Sequence, residues 1–282
     1  MNHALELKNV TKRYKDFTLQ GLDLTLPKGC IMGLVGENGA GKTTTIKLIL
    51  DLITPDEGEI SVMGLDSRKD SSAIKELCGI VPDEIGFPQG MNALQVGKVM
   101  KHTYKNWDEQ AYKDHLTRFG LPEKKSFKEY SKGMKMKLGI AVALSHNAKL
   151  LILDEATSGL DPVVRDEVVA LFGEFTREED RAVLISSHIV SDLEKICDYI
   201  AFVHDGKLLL CEEKDALLAK YGCWQGSRAQ MDALPAGAVC HFKETPYGVE
   251  AILSRAALSE DVAIAPLNME ELFLFKIKEA KK

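Results

Sequence analysis

Gly36-Glu37-Asn38-Gly39-Ala40-Gly41-Lys42-Thr43-Thr44 fits the pattern G-x-x-x-x-G-K-[ST], whose chemistry is phosphate binding. Glycines at 36, 39 and 41 let the backbone curl so that its N–H groups point at anionic oxygens. Asn38, Ala40 and Thr44 complete the loop. Lys42 suits β- and γ-phosphates, and the Thr43 hydroxyl suits Mg2+. The apolar run Ile31-Met32-Gly33-Leu34-Val35 precedes the loop, and the helical pattern Thr45-Ile46-Lys47-Leu48-Ile49-Leu50 follows it. Strand, glycine loop and helix form the context in which this motif holds a phosphate. The positive end of the helix then faces the same anion.

A second group is Leu150-Leu151-Ile152-Leu153-Asp154-Glu155, a short apolar strand ending in two adjacent acids. Taken alone, such a pair is commonly an acidic turn after a core strand. Beside a phosphate loop, Asp154 suits Mg2+, directly or through water, and Glu155 suits the deprotonation of an attacking water. Tyr14 stands 22 residues before Gly36. By spacing alone, stacking on a purine face and simple exposure in a loop are equally open.

The elements that must position these groups alternate. Residues 4–10, 17–26, 55–63, 79–82, 149–153, 182–186 and a pair within 199–211 read as strands. Helices are expected near 72–78, 162–176, 189–197 and 213–220. From about 88 to 146 the period is helical, with Asn92 and Ser131 as N-caps. The predicted fold class is therefore α/β, a P-loop domain over residues 1–220 with a helical subdomain at about 88–146. After Tyr221-Gly222 the pattern changes. Short strand-like pieces over 223–267 and an amphipathic helix at 268–280 predict a small α+β appendage over 221–282.

At 282 residues the chain can bury a full core. Its net charge of −6 argues against a nucleic-acid scaffold. The cysteines at 30, 78, 197, 211, 223 and 240 form no C-x-x-C pair, so neither zinc nor a secreted disulfide framework is indicated, and a reducing cytosol is expected. The N-terminal stretch Met1-Asn2-His3-Ala4-Leu5-Glu6 does not read as a signal peptide. No apolar run approaches the roughly 18 residues that would span a bilayer. The cluster Lys124, Lys125, Lys128, Lys132, Lys135 and Lys137 is interrupted by Glu123 and Glu129 and reads as a solvated face. His102, His115 and His204 carry no ligand spacing and receive no role.

Five stretches in order resemble the ATP-binding subunits of ABC transporters. They are Gly36–Thr44 (Walker A), Tyr130-Ser131-Lys132-Gly133-Met134-Lys135 (the signature), Leu150–Glu155 (Walker B), Thr157-Ser158-Gly159-Leu160-Asp161 (the D-loop) and Ser186-Ser187-His188 (the switch histidine). The resemblance covers about residues 4–220 and is greatest to the ATPases of bacterial ABC-2-type exporters. It implies a homodimer or heterodimer closed around two ATP molecules, with Mg2+, Lys42 of one chain and Ser131 and Gly133 of the other at each nucleotide. It also implies that Glu155 is the catalytic carboxylate, that His188 meets the γ-phosphate, that Asp161 links the two sites and that Tyr14 stacks on adenine. The expected partner is a separate polytopic membrane subunit, which would hold the chain on the cytoplasmic face of the membrane. The loop 84–91 and helix 93–104 would receive a short helix of that subunit.

Three positions depart from the family pattern. The usual glutamine 41 residues after the Walker lysine is Asp83, which can reach Mg2+ through water but adds a negative charge. The signature reads Ser131-Lys132-Gly133-Met134, keeping the serine and the second glycine, and Ala156 follows the catalytic glutamate in place of proline. A working ATPase is expected. The competing readings are a soluble ABC ATPase acting on ribosomes or DNA, and an ATP-binding regulator without hydrolysis. The chain has neither a second ATP-binding domain nor a long coiled coil, and it keeps Glu155 and His188.

Overall fold

Three strands open the chain: β1 (His3–Arg13), β2 (Thr18–Pro27) and β3 (Ile31–Val35). The computed structural model describes residues 3–157, 160–259 and 262–280. β1 and β2 pair antiparallel. Their alternation turns Leu5, Leu7, Leu19, Leu22, Leu24 and Leu26 inward, each at most 1% exposed. Each such side chain contributes about 1.5–3 kcal/mol on burial. They meet Met32 and Leu34 of β3 and Ile46, Leu48 and Ile49 of α1 (Lys42–Ile49) in one core. β4 (Glu57–Val62) pairs with β1, and β5 (Leu65–Asp66) closes a four-stranded sheet in the order β2-β1-β4-β5.

The next elements are α2 (Ser71–Leu77), β6 (Cys78–Val81), α3 (Ala93–Thr103), α4 (Glu109–Arg118), α5 (Lys132–Leu144) and β7 (Leu150–Asp154). α6 (Pro162–Phe175), β8 (Ala182–Ser187), α7 (Val190–Glu194), β9 (Tyr199–His204) and β10 (Lys207–Glu213) follow. A six-stranded sheet has the order β10-β9-β3-β8-β7-β6. β3 pairs parallel with β8 and β9, and β7 pairs parallel with β8 and β6. β3, β7 and β8 are buried along their whole length, as continuous apolar runs in a parallel sheet must be.

Caps fix the helical insertion. Asn92 and Gln95 form a capping box on α3, the Asp108 side chain accepts from Ala111 N on α4, and the Ser131 side chain accepts from Met134 N on α5. Glu109 accepts from Lys101 at 2.7 Å and Lys113 at 3.0 Å, and these hydrogen bonds hold its carboxyl down at about 2.

The chain divides into two compact units, Met1–Cys211 and Glu212–Lys282. The helix expected near 213–220 is α8 (Lys214–Ala219), which opens the second unit, so the structural break precedes the boundary expected at 220. The second unit continues with β11 (Tyr221–Gly226), α9 (Arg228–Asp232), β12 (Val239–Thr245), β13 (Gly248–Ser254) and α10 (Met269–Ala280). Its antiparallel sheet runs β11-β13-β12 over a small core of Met231, Val249, Ala251 and Leu253. Among the described residues, no helix is long and apolar enough to cross a membrane.

Candidate nucleotide site

Parallel pairing aligns the C-terminal ends of three strands. Val35 of β3 is in register with Ser187 of β8, and Asp154 of β7 with Ser186 of β8. The segments leaving these strands, Gly36–Thr44, Glu155 and His188, therefore emerge along one edge, where open α/β sheets bind ligands.

Two glycines shape the loop. A Cβ on Gly36 would lie 2.5 Å from the Val203 carbonyl oxygen, so a side chain there would collide with β9. Gly41 has φ +116°, a conformation natural to glycine, and caps the start of α1. Asn38, Gly39 and Thr43 are exposed, Thr44 is half-buried, and Ala40 and Gly41 are buried.

Lys42 is buried at 5% exposure. Its ammonium donates to the carbonyls of Gly36 at 2.8 Å and Glu37 at 3.3 Å, and meets Glu155 Oε1 at 3.2 Å. Three donors thus meet three oxygens. A phosphate offers the same ammonium a charged acceptor stronger than the two neutral carbonyls.

Glu155 adopts φ +53°, a left-handed backbone that is unfavourable for a residue with a Cβ. Its N–H is held by the Ser186 carbonyl at 3.2 Å and Ser186 Oγ at 3.1 Å. Its carboxylate is shared, with Oε1 facing Lys42 and Oε2 accepting from His188 Nδ1 at 2.7 Å. Asp154, 8% exposed, accepts from Thr43 Oγ1 at 3.0 Å through Oδ2 and from Ser186 Oγ at 2.5 Å through Oδ1.

Thr43 and Asp154 present hard oxygen donors side by side, which fits Mg2+. Among the described residues, no group of three or more His, Cys, Asp or Glu side chains forms a complete metal cage.

Other expected site residues lie on separate elements. Ser131 is exposed and Gly133 half-buried at the start of α5, whose first turn has no acid. An anion approaching from outside meets the positive helix end there. Asp161 caps α6, its Oδ1 accepting from Val164 N at 3.0 Å. Ser158 and Gly159 of the D-loop lie outside the described residues. Tyr14 is 46% exposed, its ring 6.4 Å from that of Phe17, in a shallow groove that Gln20 and Asp205 also line. Asp83 is half-exposed with Lys132 Nζ at 3.8 Å. Among the described residues, no hydrogen bond or ion pair joins Asp83 to Thr43 or Asp154.

Ser186 bridges the two acids, a role that sequence spacing does not reveal. It belongs to the Ser186-Ser187-His188 stretch, but only the β7–β8 register sets its hydroxyl against Asp154. Phe17 beside Tyr14 was equally invisible, being one apolar residue in a predicted strand.

The ABC transporter family profile matches residues 19–158. The bacitracin transport ATP-binding protein BcrA of Enterococcus faecalis is 34% identical over 212 residues, covering 74% of this chain and 69% of the relative. The lantibiotic transport ATP-binding protein SrtF of Streptococcus pyogenes is 36% identical over 215 residues, covering 75% and 91%. A solved ATP-binding subunit of an ABC transporter superposes with a TM-score of 0.70 at 26% identity, covering 77% of this chain and 92% of the other. Walker motifs on one sheet edge, a capped signature helix and these relatives agree that the chain belongs to the ABC transporter family, as an ATP-binding subunit that hydrolyses ATP.

Proposed function

We propose that the chain is the motor of an exporter. Two ATP-binding subunits, identical or related, close head to tail around two ATP molecules and move a separate polytopic membrane subunit, which holds the motor on the cytoplasmic face of the membrane. The observation that carries the hydrolytic part of this reading is the continuous chain Lys42–Glu155–His188 beside Thr43–Asp154–Ser186. The names of two relatives, for bacitracin and lantibiotic transport, support export over action on ribosomes or DNA.

The residues divide the work. Tyr14 stacks on adenine, and the Gly36–Thr44 loop with Lys42 holds the phosphates. Mg2+, held by Thr43 and Asp154, supplies Lewis-acid charge at the phosphate oxygens. Ser186 fixes Asp154 and the Glu155 backbone together. Glu155 accepts the proton of the attacking water. His188 keeps the Glu155 carboxylate in place through Nδ1–H and turns its other nitrogen to the γ-phosphate. Ser131 and Gly133 serve the ATP of the partner subunit, and Asp161 couples the two sites. Asp83, with Lys132 Nζ 3.8 Å from it, would serve as a further, water-mediated oxygen donor to Mg2+. Loop 84–91 and α3 receive the membrane subunit, so closure is passed on as a rigid-body movement.

The test is affinity capture of the tagged chain from detergent-solubilised membranes of its host. A polytopic membrane protein in near-stoichiometric amount is the expected outcome. Ribosomal or DNA-associated proteins without a membrane partner would overturn the exporter reading.

A further inference from the structure

The turn joining β9 to β10 grips the phosphate loop from outside. Asp205 and Gly206 have φ +45° and +74°, the left-handed pair that a two-residue hairpin turn requires. Gly206 N donates to the Ala40 carbonyl at 3.0 Å, and the Gly206 carbonyl accepts from Gln20 N at 2.8 Å. The Val203 carbonyl closes on Gly36. Between these contacts stands His204, its side chain 7% exposed. Nδ1 lies 3.2 Å from Glu37 Oε2, and Nε2 lies 3.4 Å from Asp205 Oδ2. Neither ring nitrogen completes an aligned hydrogen bond among the described residues. A buried polar ring without such a bond is costly, and the Glu37 and Asp205 carboxylates are the polar groups that approach it.

Glu37 is the pivot of this arrangement. Its carbonyl accepts from Lys42 Nζ at 3.3 Å, while its carboxylate faces His204. The same residue thus ties the phosphate-binding lysine to the end of β9.

We propose that His204 is a positioning residue for the phosphate loop. By holding the Glu37 side chain against the end of β9, it keeps the Glu37 carbonyl on Lys42 and the loop in its curl before a nucleotide arrives. The inference rests on the reading of Gly36–Thr44 as the phosphate loop. A loop ordered in advance binds more tightly because less freedom is lost on binding. Removing the anchor therefore raises Kd and KM for ATP and leaves kcat nearly intact.

The test compares His204→Ala, His204→Gln, Glu37→Gln and the double variant His204→Ala/Glu37→Gln in the full chain. Binding of a fluorescent ATP analogue, steady-state hydrolysis and amide exchange of the nucleotide-free protein are measured. His204→Ala is expected to raise Kd and KM about two- to fivefold, the size of a polar contact to a largely exposed carboxylate. It should change kcat by less than about twofold. Exchange should quicken over 36–41 and stay unchanged over 150–154. Glu37→Gln, at an exposed carboxylate that the fold can spare, should reproduce the weaker binding. His204→Gln, whose amide can approach the same carboxylate, should recover at least half of the lost affinity. The double variant should be no weaker than the weaker single one, because both break one contact. Wild-type affinity and exchange in His204→Ala, additive losses in the double variant, or a loss confined to thermal stability would overturn the proposal. Lys42→Ala separates the two readings. If it abolishes binding while the His204 variants bind as wild type, only the positioning role fails. If it too binds as wild type, the phosphate-loop reading fails.

Discussion

The Glu155 carboxylate lies 3.2 Å from the Lys42 ammonium, with both side chains largely shielded from water. The lysine of the glycine loop and the acid that follows β7 thus form one ion pair across the strand ends. An entering phosphate competes for Lys42 with a carboxylate as well as with two loop carbonyls.

Glu155→Gln keeps the side-chain shape and removes the base. Hydrolysis should fall at least about 100-fold, the usual share of a positioned general base. ATP binding should persist, and an ATP-bound dimer should accumulate. Single-turnover hydrolysis and size-exclusion chromatography with ATP check both. Hydrolysis at the wild-type rate would remove Glu155 from the role of base.

Ser186→Ala removes the donor to Asp154 and one of two acceptors for Glu155 N–H. Leaving a buried carboxylate oxygen without its donor costs about 1–3 kcal/mol. The urea midpoint should drop accordingly, and kcat should fall because Glu155 loses a support for its left-handed backbone. Unchanged stability and rate would mean that water replaces the hydroxyl at no cost.

Tyr14→Ala should raise KM for ATP by roughly tenfold, since stacking of a base on an aromatic ring is worth about 1–3 kcal/mol. Tyr14→Phe keeps the ring and should behave as wild type. If both variants match wild type, the ring is a loop residue and Phe17 or Asp205 forms the base contact instead.

Burial pushes the His146 imidazole below the ordinary histidine pKa, with its ring stacked 3.8 Å from Tyr104. His115 is lowered in the same way, by burial first and by Arg118 second. A folded-state value below the unfolded one means that the unfolded chain binds a proton the folded chain refuses. Stability is therefore full above the ordinary value of about 6.5 and declines as pH falls through it, until the folded groups also titrate. The urea midpoint should be lower at pH 5.5 than at pH 7.5, and His115→Gln should flatten the slope. Glu109, held at about 2, titrates well below this window. A flat profile would contradict the burial argument.

The phosphate loop, the acid pair and the helix caps at Asn92 and Ser131 were legible because each is contiguous. Strand, curl and helix start depend on backbone geometry within a few residues, and glycine and capping side chains carry that geometry in their chemistry. Periodicity located most strands and helices for the same reason. It erred at element ends, where neighbours decide: helix 189–197 contracts to Val190–Glu194, and β1 runs on to Arg13, whose N–H finds Asp56 at 2.6 Å.

Contacts between distant segments were not legible. Ser186 reaches Asp154 across 32 residues, Thr43 reaches Asp154 across 111, and Glu37 meets His204 from a strand 167 residues away. The Lys132 contact to Asp83 belongs to the same class, joining a signature residue to a loop before α3. The sequence by itself determined which chemistry the chain carries, because residue type and local spacing suffice for that. Only the tertiary structure decided which side chains share it, because parallel register and the packing of one hairpin against the phosphate loop exist nowhere in local sequence.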